Sequence, residues 1–235
     1  MKRISKHIYQ LSLGWVNVFI IEDKDNGLTL VDTGPKGSAG KIFDAIKRAG
    51  MDPYNIKRIV LTHAHLDHSG SAEELKRLLR VPVMAHREDA QLIRYGVACR
   101  REISLSPGLK NRLIYELAIK RADISIEPVS VDIELKDRDL LVGGVRVIHT
   151  PGHTRGHISL LVEKEEVLIA GDLLSNNVGL GLSVTYEDRA EGISSIMKVT
   201  DLDFDKMAFA HGRPMLADAG SLLRQAFVNY DYAWS

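Results

Sequence analysis

Residues 61–70 read LTHAHLDHSG, and the reading of the whole chain turns on this stretch. His63, His65, Asp67 and His68 fall within six positions, in a chain of 235 residues that holds nine histidines. On an extended backbone alternate side chains share a face, so His63 and His65 point the same way and can grip one ion from one side. Asp67 and His68 lie beyond a turn and are better placed for a second ion nearby. A donor set of nitrogen and carboxylate oxygen, without sulfur, suits zinc, iron or manganese.

Three later stretches carry isolated residues of the same chemistry. TPGHTRGH (150–157) places His153 in a Pro-Gly turn between two strands. LIAGDLL (168–174) places Asp172 at the end of an apolar strand, after Gly171. AFAHGR (208–213) gives His211 the same setting, followed by Gly212. Each is a strand-end loop residue with a small neighbour, and such loops on a rigid scaffold are where sites are built. His157 reads as structural, His86 as a strand-end residue facing either the cleft or the core, and His7 and His149 as structural or surface residues.

Around these motifs the chain reads as alternating strands and helices. Strand signals cover 7–13, 15–22 and 27–32, with Val16, Val18 and Ile20 on one face and a hairpin turn at Asn26-Gly27. A helix is expected over 38–49 with Ser38 as its N-cap. IKRIVLT (56–62) is a buried strand, a helix follows over 69–80, and VPVMAH (81–86) is the next strand. Residues 87–123 interrupt the rhythm as a helical insert of two helices, the second starting at Ser106-Pro107. Strands resume at 128–134, 139–150, 157–163 and 166–171. A helix at 189–200, a strand at 206–210 and a helix at 217–233 follow. No linker or repeat divides the chain, which reads as a single domain over 1–235.

Composition sets limits on function. Apolar residues are 45% and charged residues 26%, an ordinary globular balance. Formal net charge is zero, so nothing draws the chain to nucleic acid or to an anionic membrane. Cys99 is the single cysteine, which excludes an internal disulfide and a cysteine-based zinc cluster. The basic, apolar start lacks a small-x-small cleavage site, and no run approaches the ~20 apolar residues of a membrane span. A cytoplasmic protein acting on a small molecule is expected.

The order HxHxDH, a GH loop, a strand-end aspartate and a His-Gly resembles the metallo-β-lactamase superfamily, and Asp32 in VDTG (31–34) matches its N-terminal motif. The resemblance covers nearly the whole chain. It implies an α/β fold, the αβ/βα four-layer sandwich of two mixed sheets flanked by helices, with a metal site at one edge. It implies two zinc ions, with iron or manganese as substitutes. His63, His65 and His153 would hold the first, and Asp67, His68 and His211 the second, with Asp172 bridging them. Asp32 would orient a ligand, and Asp67 would also orient and deprotonate the attacking water. Homodimerisation is a further expectation from the family.

Departures from family patterns narrow the substrate. The chain continues only to Ser235 after His211, so the glutathione-binding helical domain of family glyoxalases II is not expected. Asp172 stands where antibiotic-hydrolysing members commonly have cysteine. The expected activity is hydrolysis of a thioester, lactone or phosphoester. The alternative is a persulfide dioxygenase-like oxidoreductase with one iron, held by the first-site residues and Asp172. The insert carries eight basic residues (Arg87, Arg94, Arg100, Arg101, Lys110, Arg112, Lys120, Arg121) against four acidic ones over 87–122. It is either a basic lid for an anionic substrate or a solvated or dimer surface.

Overall fold

The computed structural model describes residues 1–99, 103–121 and 124–228. The chain opens with β1 (Lys2–Arg3), β2 (Ile8–Ser12), β3 (Asn17–Asp23) and β4 (Gly27–Val31), an antiparallel series in register Ile8↔Ile21 and Phe19↔Val31. The β3–β4 hairpin forms because Asp23 Oδ1 accepts the backbone N–H groups of Asp25 and Asn26, while Gly27 takes φ 77°. Helix α1 (Ala39–Arg48) then leads to β5 (Ile56–Val60), parallel to β4. Two short helices, α2 (Leu66–Ser69) and α3 (Ala72–Leu79), lead to β6 (Val83–His86), parallel to β5.

The helix expected over 69–80 starts later, as α3 at Ala72, and is separated at Gly70 from the short α2 that ends at Ser69. A Cβ on Gly70 would lie 2.3 Å from Leu66 O and 2.7 Å from Lys36 N, so the chain there is pressed against the loop after β4. Ser38 occupies the first cap position of α1, but its hydroxyl donates to Pro35 O and caps nothing.

The insert contributes α4 (Arg87–Tyr95), β7 (Ser104–Leu105) and α5 (Leu109–Ile114), which runs on as a π-helical turn over Tyr115–Ile119. The second helix starts at Leu109 and not at Ser106-Pro107. Ser106 instead donates its N–H to Val184 O and its hydroxyl to Ser183 O, a tertiary use that local capping rules do not register. Strand β8 (Ile133–Leu135) then closes the first sheet, in the order β1-β2-β3-β4-β5-β6-β8.

The second sheet is built from β9 (Leu140–Leu141), β10 (Val145–His149), β11 (Ile158–Val162) and β12 (Val167–Ile169), all antiparallel neighbours. Short strands β13 (Leu174–Ser175), β14 (Gly181–Leu182) and β15 (Thr185–Tyr186) precede α6 (Arg189–Thr200). Strand β16 (Lys206–Ala208) pairs parallel with β12, and α7 (Ala219–Phe227) is the last described element. Positions 229–233 of the expected final helix lie outside the described residues.

Three apolar layers hold the elements together. Val18, Ile20 and Leu30 face Ile42 and Ile46 of α1, Leu75 of α3 and Ile93 of α4. Phe19, Ile21 and Val60 on the opposite face meet Val147, Leu160 and Ile169 of the second sheet. Leu161, Leu168 and Met207 pack against Ile196 and Val199 of α6 and Leu223 and Phe227 of α7. The result is helix, sheet, sheet, helix, the four-layer αβ/βα sandwich. Strand β3 is buried on both faces, so the single-face expectation for Val16, Val18 and Ile20 described only half of it. Each fully buried Ile contributes about 1.5–3 kcal/mol of apolar transfer. Among the described residues, no helix is long and apolar enough to cross a membrane.

Candidate metal centre

Every residue proposed for the centre follows the C-terminal end of a strand. Asp32 follows β4, and His63 to His68 follow β5. His153 lies beyond β10, Asp172 beyond β12 and His211 beyond β16. Two sheets thus present their strand ends at one edge, the usual place for sites in α/β architectures. The chain before His65 bends away from strand geometry, yet the His63 and His65 rings still meet, edge to face with centroids 4.6 Å apart. Asp67 and His68 stand on the single turn α2, whose N–H groups from His68 and Ser69 bond to His65 O.

Three groups of donor atoms come within 4.8 Å of one another: His63 with His65 and His153, His63 with His68 and Asp172, and Asp67 with His68 and His211. His153 Nε2 lies 3.0 Å from His65 Nδ1 and 3.4 Å from Asp172 Oδ2. His211 Nε2 lies 3.2 Å from Asp172 Oδ2 and 3.3 Å from Asp67 Oδ2. His68 Nε2 lies 3.5 Å from Asp67 Oδ2 and 3.6 Å from Asp172 Oδ1. All seven side chains converge, and Asp172 reaches toward both the His63, His65, His153 group and the Asp67, His68, His211 group.

The outer nitrogens explain the ring orientations. His68 Nδ1 donates to Asp32 Oδ2 at 2.9 Å. His153 Nδ1 donates to Thr185 O and His211 Nδ1 to Trp15 O, both at 2.8 Å. His63 Nδ1 donates to the Thr62 hydroxyl at 3.0 Å, which in turn donates to Asp32 Oδ2 at 2.8 Å. With Nδ1 engaged on the outside, the Nε2 atom of each of these rings is turned inward. Asp32 is fully buried, takes φ 61° and also accepts the Thr62 N–H at 2.7 Å. Among the described residues, the buried side-chain atoms without a hydrogen-bond partner are Gln10 Oε1, His63 Nε2, His68 Nε2 and Asp172 Oδ1. Orphaned polar atoms of this kind are costly unless something ligates them. The imidazole and carboxylate set fits a divalent cation of the zinc, iron or manganese kind.

Electrostatics divides the cluster in two. Burial, reinforced by the neighbouring histidines, holds His63 well below the usual imidazole range. Burial likewise pushes His65 and His153 down to about 4, so the first trio consists of neutral donors at pH 7. Burial opposes the charged form of His68 too, but Asp67, Asp172 and Asp32 outweigh it and raise the ring well above its ordinary value. For His211 the two carboxylates Asp172 and Asp67 overcome burial and push it up to about 10. The same contacts hold Asp67 and Asp172 well below the usual carboxylate range despite their burial.

The other histidines are accounted for. His157 is structural: its Nε2 accepts the Asp172 N–H at 2.9 Å and its Nδ1 donates to Thr150 O. His7 pairs with Glu165 at 2.7 Å. His86 stacks on His149 with centroids 3.9 Å apart, in a separate cavity of about 580 Å³ that Arg155 also lines. Of the basic insert residues, Arg94 is tied to Glu134 at 2.6 Å, Lys120 to Glu116 at 2.9 Å and Arg87 to Glu88 at 3.6 Å. Arg100 and Arg101 lie outside the described residues. Sequence reading missed Asp89, a fully buried carboxylate that accepts bonds from Ala64 and Thr154 beside His63, His65 and His153.

A profile described as the metallo-beta-lactamase superfamily matches residues 13–211. The chain belongs to this superfamily. It is similar to "Probable metallo-hydrolase YflN" of Bacillus subtilis, 29% identical over 90% of this chain and 86% of that one. It is also similar to "Hydroxyacylglutathione hydrolase GloC" of Haemophilus influenzae, 26% identical over 67% of this chain and 66% of that one. Among solved structures a β-lactamase from Chitinophaga pinensis superposes with a TM-score of 0.69 at 22% identity, covering 98% of this chain and 92% of that one. That likeness bears on the fold. Membership of the metallo-β-lactamase superfamily supports a metal-dependent hydrolase in general.

Proposed function

We propose that this chain is a binuclear-metal hydrolase that cleaves an ester-type bond, a thioester, lactone or phosphoester, of a small molecule, acting as a single domain. The observation that carries this reading is the set of inward-facing, unpartnered Nε2 and Oδ1 atoms on His63, His68 and Asp172. His63, His65 and His153 would hold the first cation, Asp67, His68 and His211 the second, and Asp172 would serve both. Cations held there supply Lewis acidity toward the scissile carbonyl or phosphoryl oxygen and bring the pKa of water near 7.

The residues of the chain do the remaining work. Asp32, Thr185 O and Trp15 O fix the three Nδ1–H groups and so aim the rings. Asp67 lies at the inner face, between the Nε2 atoms of His68 and His211, where its Oδ2 can accept a proton from the attacking water and return it to the leaving oxygen or sulfur. Burial of His63, His68, His153 and Asp172 limits the access of bulk water to the cluster.

Zinc is the expected ion. Metal quantification followed by hydrolysis assays on thioesters, lactones and phosphodiesters tests the reading. Two zinc ions per chain and turnover of one ester class are expected, with Asp172→Ala losing both metal and turnover. One iron per chain with oxygen consumption would instead favour the dioxygenase alternative and overturn the hydrolase.

A further inference from the structure

We infer that Asp89 is a positioning residue that sets the geometry of the first histidine trio, and that the insert it opens braces the centre. The inference rests on the metal-centre reading above. Asp89 stands in the first turn of α4 and is fully buried. Its Oδ2 accepts the Ala64 N–H at 3.0 Å and the Thr154 hydroxyl at 2.7 Å, and its Oδ1 accepts the Gly156 N–H at 3.0 Å. Ala64 separates His63 from His65, and Thr154 follows His153. One carboxylate therefore joins the two loops that carry all three histidines of the trio. Bonds to an ionised acceptor are roughly twice as strong as neutral ones, which suits a clasp between loops of distant sequence.

Packing leaves the clasp little freedom. A Cβ on Gly156 would lie 2.5 Å from Asp89 N and 2.6 Å from Asp89 Cγ, so the loop and the helix turn are already in contact. Helix α4 is itself fixed, with Ala90 and Ile93 in the core and the Arg94 guanidinium donating to Val131 O and Glu134. The far side of the insert makes a second tie. Strand β7 pairs with β15 through Leu105↔Thr185, and Ser106 bonds to the backbone of Ser183 and Val184. Thr185 O receives the His153 Nδ1–H, while the Ser183 hydroxyl donates to Asp172 O. The insert thus holds the His153 loop from both ends and touches the segment that supports Asp172.

Asp89→Asn replaces one acceptor oxygen with a donor amide. That amide must face either the Gly156 N–H or the Ala64 N–H, so one of the backbone bonds that hold the clasp is lost. Loss of a group that supports a ligand typically lowers metal affinity by about 10–100-fold, and here the loss should fall on the first trio alone. The experiment titrates full-length wild type and Asp89→Asn with cobalt against a competing chelator, resolving the two binding steps. Amide hydrogen exchange at Ala64 and Gly156 is followed in the ion-free proteins. Gly156→Ala should reproduce the loss by displacing Asp89, and Thr154→Val, which removes a single donor, serves if Asp89→Asn does not fold. Weakened first-step binding with an unchanged second step, together with faster exchange, is expected. Unchanged affinities, or a parallel fall of both steps that follows the melting temperature, would overturn the positioning role. A wild type that binds no cobalt overturns the metal-centre reading, and unaltered exchange at Ala64 and Gly156 then overturns the clasp as well.

Discussion

Asp32 is the support whose removal has the most specific expected consequence. Its carboxylate receives three buried donors: the Thr62 N–H, the Thr62 hydroxyl and the His68 Nδ1–H. Asp32→Ala orphans all of them at about 1–3 kcal/mol each and adds about 1–2 kcal/mol for alanine in a left-handed backbone. A total of that order approaches the whole stability of a domain, about 5–15 kcal/mol, so this variant should fold poorly. Asp32→Asn is the informative one. Asparagine tolerates positive φ and keeps one acceptor for the Thr62 N–H. Its amide then faces the His68 side, where two donors would oppose each other. His68 resolves the clash by giving up its Nδ1 proton, which leaves the remaining proton on Nε2, the nitrogen that faces the centre and the carboxylates of Asp67 and Asp172. The expected cost is about 1–3 kcal/mol, or about 2–12 °C in melting temperature for a chain of this size. Affinity at the second trio should fall by about 10–100-fold, as for other residues that orient a metal ligand. Nitrogen NMR of the ion-free variant reads the tautomer, and chelator competition reads the affinity. A His68 that keeps Nδ1 protonated while binding zinc as the wild type does would refute the orienting role.

Gly70→Ala should destabilise the protein by several kcal/mol and displace α2 with Asp67 and His68, because the new Cβ meets backbone at 2.3 Å; thermal melting and metal content check it. Zinc added to chelator-treated protein should raise the melting temperature, with about 1.4 kcal/mol for each tenfold excess over the dissociation constant; a flat response would contradict a native-state site. Glu165 gives a pH signature. Burial would raise its carboxyl, but bonds from the Ser5 hydroxyl, the His7 N–H and the His7 ring hold it below the ordinary value. A depressed carboxylate contributes stability above its unfolded pKa of about 4.3 and loses it as pH falls through the folded value, so Glu165→Gln should flatten that part of an acid-denaturation profile.

The parts legible in the sequence were those with short-range signatures. His63 to His68 lie within one loop, and His153, Asp172 and His211 each follow an apolar strand run, so spacing and strand ends sufficed to select them. Helix α6 is marked by Asp188, whose carboxylate accepts the Glu191 N–H as an N-cap, and it was read at its true bounds. The failures share one cause, long-range contact. Ser106 looks like a cap but serves the 183–184 backbone. Gly70 looks like helix but yields to the packing of Lys36. Asp89 looks like any first-turn acid, because its donors at 64, 154 and 156 are far away along the chain.

Trp15 lies over the centre in a way that has an experimental use. Its indole is stacked on the His211 ring, 9° from parallel with centroids 5.8 Å apart, and is 61% exposed. An aromatic face held against an imidazolium senses the charge beneath it. With Trp234, the other tryptophan of the chain, replaced by phenylalanine, the intrinsic emission doubles as an occupancy gauge: exchange of the His211 proton for a cation should shift the Trp15 signal, with no dye attached.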